Sequence, residues 1–376
     1  MSAAASNLAP TVLAGGFALG LAFGAVAQRA NYCSMGALAD IVNMQHWGRA
    51  RMWMLAIAVA VAGATALQLS GQVNLAASIY RRGASLPWLS LLVGGLIFGV
   101  GMTLAGGCAN KNLLRLGGGS LRSGVVLVFM GLAAYMTMKG LLGQWRVATL
   151  DRVALDLANA GALKDASLPN AVAAIFGITP AAAAATSAAV LVLTLLVFTF
   201  KDARFRANRV QVASGTALGA LIVTGWYVSG QLGFGENPET LEQVYFATNT
   251  RTIESLSFVA PTAFSLELLL LWTDKSLHAS FGIATLVGVV LGAGIVAKLT
   301  GSFRWEGFAS LADLRQQLAG AVLMGFGGVT ALGCTVGQGL TGLSTLALGS
   351  FIAVAGIVGG SIATLHYMLR QAEQDV

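Results

Sequence analysis

Nine apolar runs punctuated by charge dominate this chain, at about 11–28, 52–69, 88–106, 123–143, 181–200, 211–229, 278–297, 317–332 and 346–368. A hydrocarbon core about 30 Å thick takes about 20 helical residues to cross, so each run is a candidate membrane span. Lipid offers backbone groups no hydrogen bonds, which leaves only helices and closed barrels as spanning structures. The runs are continuous and do not alternate as barrel strands do, which excludes the barrel. Only 10% of the residues are charged, where a soluble domain carries about 25%. The expected fold is an all-α polytopic membrane protein of about nine transmembrane helices. Two shorter apolar segments, 36–45 and 258–272, read as interfacial or re-entrant helices.

The formal charge of +7 comes from 22 Lys and Arg that cluster at the ends of the apolar runs. Placement at span ends is a topology signal and excludes nucleic acid as a partner. With nine spans, an outside N-terminus puts 14 basic residues on the inner face and 8 on the outer. That asymmetry predicts N-out and C-in, with the 201–209 stretch cytoplasmic. Three histidines without cysteine neighbours at ligand spacing predict no metal site and no cofactor. Residues 1–10 lack a basic n-region, so no cleavable signal peptide is expected.

An internal repeat is legible. Gly94, Gly99, Gly101, Ala105, Gly107 and Cys108 match Gly320, Gly325, Gly327, Ala331, Gly333 and Cys334, six identities in fifteen positions. A weaker match sets residues 16–20 against 215–219. Both put the second half five spans after the first, and an odd offset reverses the direction of crossing. The chain therefore reads as two inverted halves, 1–200 with Cys33 and Cys108, and 208–376 with Cys334. Between spans, 144–170 has the pattern of an amphipathic helix on the outer surface. The segment 230–257 is acidic, with Glu236, Glu239, Glu242 and Glu254, and suggests no task.

All three cysteines stand at span ends beside glycine or polar residues. Cysteine also serves as a small hydrophobe in membrane helices. A glycine-rich break at membrane depth, however, leaves backbone groups that must face a cavity or a ligand. Each break precedes a segment able to start a helix, at Ser34, Ala109 and Thr335, and free N–H groups at helix starts attract anions. Arg29, Lys111 and Arg115 add full positive charge near Cys33 and Cys108, while Gln338 and Thr335 supply neutral donors near Cys334. Basic side chains near helix ends also snorkel to headgroups. Arg29 sits in a polar cluster with Gln28, Asn31 and Cys33, and Asp40 is its expected partner.

Sulfate and phosphate sites use amides, hydroxyls and arginine, with no role for sulfur. A soft S–H donor suits a soft acceptor, which points to an anion with a terminal sulfur, such as thiosulfate. A thiolate that takes up sulfane sulfur as a persulfide, in the manner of a membrane sulfurtransferase, is the alternative chemistry that these residues leave open. Glu267 is a candidate proton site or a partner for Lys275. His278 and His366 read as surface residues, and the glycine runs as packing faces.

The motifs resemble those of the YeeE/YedE sulfur-transport membrane proteins. Arg29, Asn31, Tyr32, Cys33, Gly36, Ala37 and Asp40 form the first, residues 101–108 with Arg115 the second, and GFGGVTALGCTVGQGLTG at 325–342 the third. The resemblance implies an hourglass-shaped inverted-repeat fold in a bacterial inner membrane. It also implies thiosulfate import, with Cys33, Cys108 and Cys334 relaying the anion by S–H hydrogen bonds and Gly107 and Gly333 flanking them. A small cytoplasmic sulfur carrier of the TusA type is the implied partner. Some members serve selenium metabolism, so another sulfur or selenium anion is the alternative cargo. Tyr32 departs from the expected Phe.

Overall fold

The computed structural model describes residues 3–81, 83–158, 163–236 and 241–374. Arg82, counted above for orientation, Glu239 of the acidic segment and residues 159–162 of the expected amphipathic helix lie outside the described residues.

The chain is helical as expected. Its helices are α1 (Ala3–Arg29), α2 (Ser34–Met44), α3 (Gly48–Leu69), α4 (Trp88–Leu104), α5 (Ala109–Gly117), α6 (Leu121–Lys139) and α7 (Leu141–Thr149). There follow α8 (Leu168–Phe176), α9 (Pro180–Phe200), α10 (Arg209–Tyr227), α11 (Val259–Leu270), α12 (Phe281–Leu299), α13 (Leu311–Thr330) and α14 (Leu348–Gln374). Short polar side chains fix several starts. Thr179, Asn208, Ser280 and Ser310 accept the N–H of the residue three places on, satisfying donors that a helix start leaves free.

Eight of the described helices, taking α1 with α2 and α4 with α5, are long and apolar enough to cross a membrane. The expected count was nine. The missing span, 317–332, lies in α13, which has 20 residues but carries Asp313, Arg315, Gln316 and Gln317 in its first two turns. Those polar turns lower its apolarity below that of the others. The two shorter segments form α2 and α11, of 11 and 12 residues, too short to span.

Glycine governs the packing. α4 and α13 run antiparallel so closely that a Cβ on Gly94 would lie 2.5 Å from Ala331 N, and one on Gly327 would lie 2.5 Å from Phe98 N. The two segments matched as a repeat are thus pressed face to face. α1 lies along α12 through Gly20, Gly24, Gly288 and Gly292, and α3 lies along α10 through Gly215 and Gly219. α4 also packs on α14, and α13 on α6. Backbones this close gain dispersion contacts that lipid cannot replace.

The 144–170 segment is not one amphipathic helix. α7 ends at Thr149, and Leu155–Asp156 pairs antiparallel with Ser85–Leu86. Asp151 stops the helix run: Ser90 donates to its carboxylate at 2.6 Å and Arg146 pairs with it at 3.1 Å. Asp165, in turn, receives Arg81 Nε at 3.0 Å and Nη2 at 2.7 Å. These polar anchors win over the periodicity. Likewise Glu267 pairs with Lys139 at 2.5 Å, with Tyr135 also donating to it, and not with Lys275.

Candidate functional site

The same backbone device precedes each of the three cysteines. α1 stops where Asn31 turns left-handed (φ 50°), and the Tyr32 N–H reaches back to the Ala27 carbonyl at 2.9 Å. α4 stops at Gly106 (φ 66°), with Gly107 N–H on the Met102 carbonyl at 2.9 Å. α13 stops at Leu332 (φ 58°), with Gly333 N–H on the Gly328 carbonyl at 2.7 Å. Each is a helix stop in which the left-handed residue lets the chain bond back onto the last turn. Two residues after each stands a cysteine, which opens the next element: α2 after Cys33, α5 after Cys108, and a π-helical turn, Gly337–Gly342, after Cys334.

The cysteines are bound to those starts. Gly36 N–H donates to Cys33 Sγ at 3.2 Å, and Gly337 N–H donates to Cys334 Sγ at 3.4 Å. Cys108 makes no such cap bond; Asn112 instead braces its loop by donating to the Gly107 and Cys108 carbonyls.

The three stops converge. Cys33 is 5% exposed and Cys108 and Cys334 are 0% exposed, so all three thiols lie in the interior. Cys33 adjoins Cys108, Thr335 stands beside Cys108, and the Tyr32 ring lies near all three thiols. Around them both amide atoms of Asn110 and the Gln338 Oε1 have no hydrogen-bond partner among the described residues, and the hydroxyls of Tyr32, Ser34 and Thr335 have none of good geometry beyond one another and the thiols. A buried polar group without a partner costs about 1–3 kcal/mol, so a cluster of them marks a place built to receive a polar guest.

Cations gather on one side of this centre. Lys111 Nζ donates to Asn31 Oδ1 at 2.6 Å and leans over Gly107, while Arg115 donates to the Gly106 carbonyl at 2.9 Å. Arg49 joins them: its Nε pairs with Asp40 at 3.0 Å, and its guanidinium extends over Gly36. Asp40 therefore holds Arg49, not Arg29. Arg29, at the end of α1, is exposed and has no ion pair among the described residues. The α2–α3 turn brings Arg49 back alongside Asp40, which the linear spacing did not reveal.

The other side is neutral. Two cavities, of about 310 and 280 Å³, share Tyr80, Arg146 and Leu332 in their walls and reach Gln338 and Gly333, the neighbours of Cys334. Arg146 is spent on Asp151. Burial pushes the Tyr80 hydroxyl and the Glu254 carboxyl up from their usual ranges, which keeps the tyrosine neutral and disfavours charge on the carboxyl. Gln338 donates to the Ala331 carbonyl at 2.5 Å and holds the third stop closed.

The structure thus collects Cys33, Cys108, Cys334, Asn31, Gly107, Lys111, Arg115, Gly333, Thr335 and Gln338 around one centre and leaves Arg29 outside it. Sequence reasoning missed Arg49, Ser34 and Asn110. The recurring Cys-x-x-Gly at Cys33–Gly36 and Cys334–Gly337 was the signal that could have led to the first.

The chain is 26% identical over 367 residues to the thiosulfate transporter TsuA of Spirochaeta thermophila, covering 95% of this chain and 99% of the relative. It is 26% identical over 351 residues to the thiosulfate transporter TsuA of Escherichia coli, covering 88% and 87%. Residues 29–363 match the family described as sulphur transport, so this multi-pass membrane protein belongs to the sulphur transport family.

Proposed function

We propose that this chain imports thiosulfate across a bacterial inner membrane, passing it along Cys33, Cys108 and Cys334 by S–H hydrogen bonds without covalent chemistry. The observation that carries the reading is the convergence of three helix-stop cysteines in one buried centre, where several other buried polar atoms lack partners among the described residues. A terminal sulfur is a soft acceptor matched to the thiols, while unpartnered hydroxyl and amide donors suit the oxygens. Two relatives named as thiosulfate transporters, covered nearly end to end, support the choice of cargo.

The helix contacts favour an inverted repeat within an hourglass. Exchanging α1 with α10, α2 with α11, α3 with α12, α4 with α13 and α6 with α14 turns several packing pairs into others that also exist, while α3–α9 has no counterpart. α1–α12 becomes α10–α3, and α4–α14 becomes α13–α6. In this reading the halves are 1–200 and 208–376, and the N-out, C-in orientation requires α13 to cross as a ninth span, because eight crossings return the C-terminus to the side of the N-terminus.

The test is uptake of sulfane-labelled thiosulfate into proteoliposomes holding the purified chain, with equimolar sulfate as competitor. Saturable uptake that sulfate leaves intact and that Cys33→Ala, Cys108→Ala and Cys334→Ala each abolish is the expected result. Serine variants keep a donor but form no persulfide, so residual transport in them separates hydrogen-bond relay from a covalent carrier. A folded wild type that takes up nothing sinks the reading.

A further inference from the structure

The glycine of each Cys-x-x-Gly does two things at once. Its N–H binds the thiol, and its missing side chain opens a cleft beside that thiol. Above Gly36 the cleft is filled by Arg49: a Cβ built on Gly36 would lie 2.5 Å from Arg49 Nη1 and 3.6 Å from Cys33 Sγ. Guanidinium and thiol therefore flank the same small space. Asp40, 11% exposed, fixes the guanidinium by its bond to Nε and leaves the Nη1 edge turned to the cleft. Lys111, bonded to Asn31 between the first two stops, lies within electrostatic reach of Arg49 and of both cysteines, so its ammonium belongs to the same group. The buried hydroxyl of Ser34, next in sequence to Cys33, is 1% exposed and, apart from the neighbouring Tyr32 hydroxyl, has no partner among the described residues.

We propose that Arg49 and Lys111 form an oxyanion subsite beside Cys33. Resting on the transport reading above, this gives the cargo an orientation: terminal sulfur on the thiols, sulfonate oxygens on the Arg49 fork and the Lys111 ammonium. Arg49 is a substrate-binding residue, Asp40 positions it, and Gly36 makes the room. A planar fork suits an oxyanion better than a point charge does. Sulfate carries the same oxygens without the terminal sulfur, so it occupies this subsite weakly and competes only in large excess.

Equilibrium binding of labelled thiosulfate to the purified full chain in detergent, with a sulfate titration, tests this, with uptake measured in parallel. Arg49→Gln should weaken thiosulfate binding about ten-fold or more and weaken sulfate competition by a similar factor. Arg49→Lys should recover part of both. Gly36→Ala, which displaces only the end of a flexible side chain, should mimic Arg49→Gln while keeping every charge. Cys33→Ser should weaken thiosulfate and leave sulfate unchanged. Wild-type affinity in folded Arg49→Gln, or wild-type binding that excess sulfate never displaces, overturns the subsite. Binding without any uptake would sink the transport reading and leave the subsite standing.

Discussion

The two Cys-x-x-Gly stops share a backbone and differ in what stands over the glycine. Over Gly36 it is the Arg49 guanidinium; over Gly337 it is the Ser257 hydroxyl, with Tyr80 Oη at 3.5 Å. At the Cys33 end Arg49, Lys111 and Arg115 crowd the stops, with Asp40 the one acidic side chain seen opposing them among the described residues. At the Cys334 end the charges are closed into the scaffold, Arg146 with Asp151 and Arg81 with Asp165. The proposed relay of a dianion would use this difference, because uniform attraction would trap the anion and uniform neutrality would not admit it. Under that proposal the cationic end sets affinity and the neutral end lets the anion pass.

If that division is right, the largest stability effect belongs to the neutral end and leaves selectivity alone. Arg81 is 5% exposed and holds the segment before α4 to the segment before α8, with Gln68, Ser167 and Asn170 around the pair. Arg81→Met strands Asp165 and should cost about 3–5 kcal/mol, read as a large drop in thermal midpoint in detergent. Arg81→Met combined with Asp165→Leu should recover much of it. Retained stability in Arg81→Met would mean that the pair is not what closes this end. Gly337→Ala is milder: its Cβ would lie 2.7 Å from Ser257 Oγ. We expect uptake to fall about two- to ten-fold, a loss of roughly 0.5–1.5 kcal/mol, as one neutral donor is displaced. A loss as large as that of Gly36→Ala would erase the distinction between the ends.

The sequence made one half of this plain and hid the other. Membrane spanning was legible because composition and run length obey the solvent, whatever the tertiary contacts. The cysteine stops were legible because glycine and polar residues interrupt apolar runs, and the left-handed turns at Asn31 and Gly106 are built from residue types that favour them. Arg49 was not, because a basic residue at the start of a span looks the same whether it faces headgroups or a thiol. Its partner was assigned to Arg29, since proximity along a chain does not reveal how a turn such as 45–47 folds α3 back on α2. The strand pair at 155–156 was invisible for a similar reason: two residues carry no period.

A subtler difference is pH. Burial raises the Glu254 carboxyl, against the lowering effect of Thr250, whose N–H and hydroxyl both donate to it. A raised carboxyl contributes stability that is complete below the unfolded value of about 4.3 and is lost as pH climbs through the folded value. The thermal midpoint should therefore decline over that window, and Glu254→Gln, which can still accept from Thr250, should flatten the decline. An unchanged pH slope in Glu254→Gln would assign the dependence to another group.

The smallest expected effect lies in the third stop itself. Leu332 occupies the left-handed position that Asn31 and Gly106 fill elsewhere, at φ 58°, a conformation costing a branched-γ residue roughly 1–2 kcal/mol. It is 40% exposed and forms a wall shared by both cavities, so its side chain recovers part of that cost by packing. Leu332→Gly removes the strain and the packing together, while adding the entropy of a flexible residue in the unfolded chain. These terms are of similar size, so stability should change by less than about 1 kcal/mol, where a buried leucine cut to alanine costs about 2–5 kcal/mol. The cavities should merge over Cys334, and uptake should rise or hold. A loss of several kcal/mol in Leu332→Gly would show that the neutral end is held by this side chain, with its polar anchors secondary.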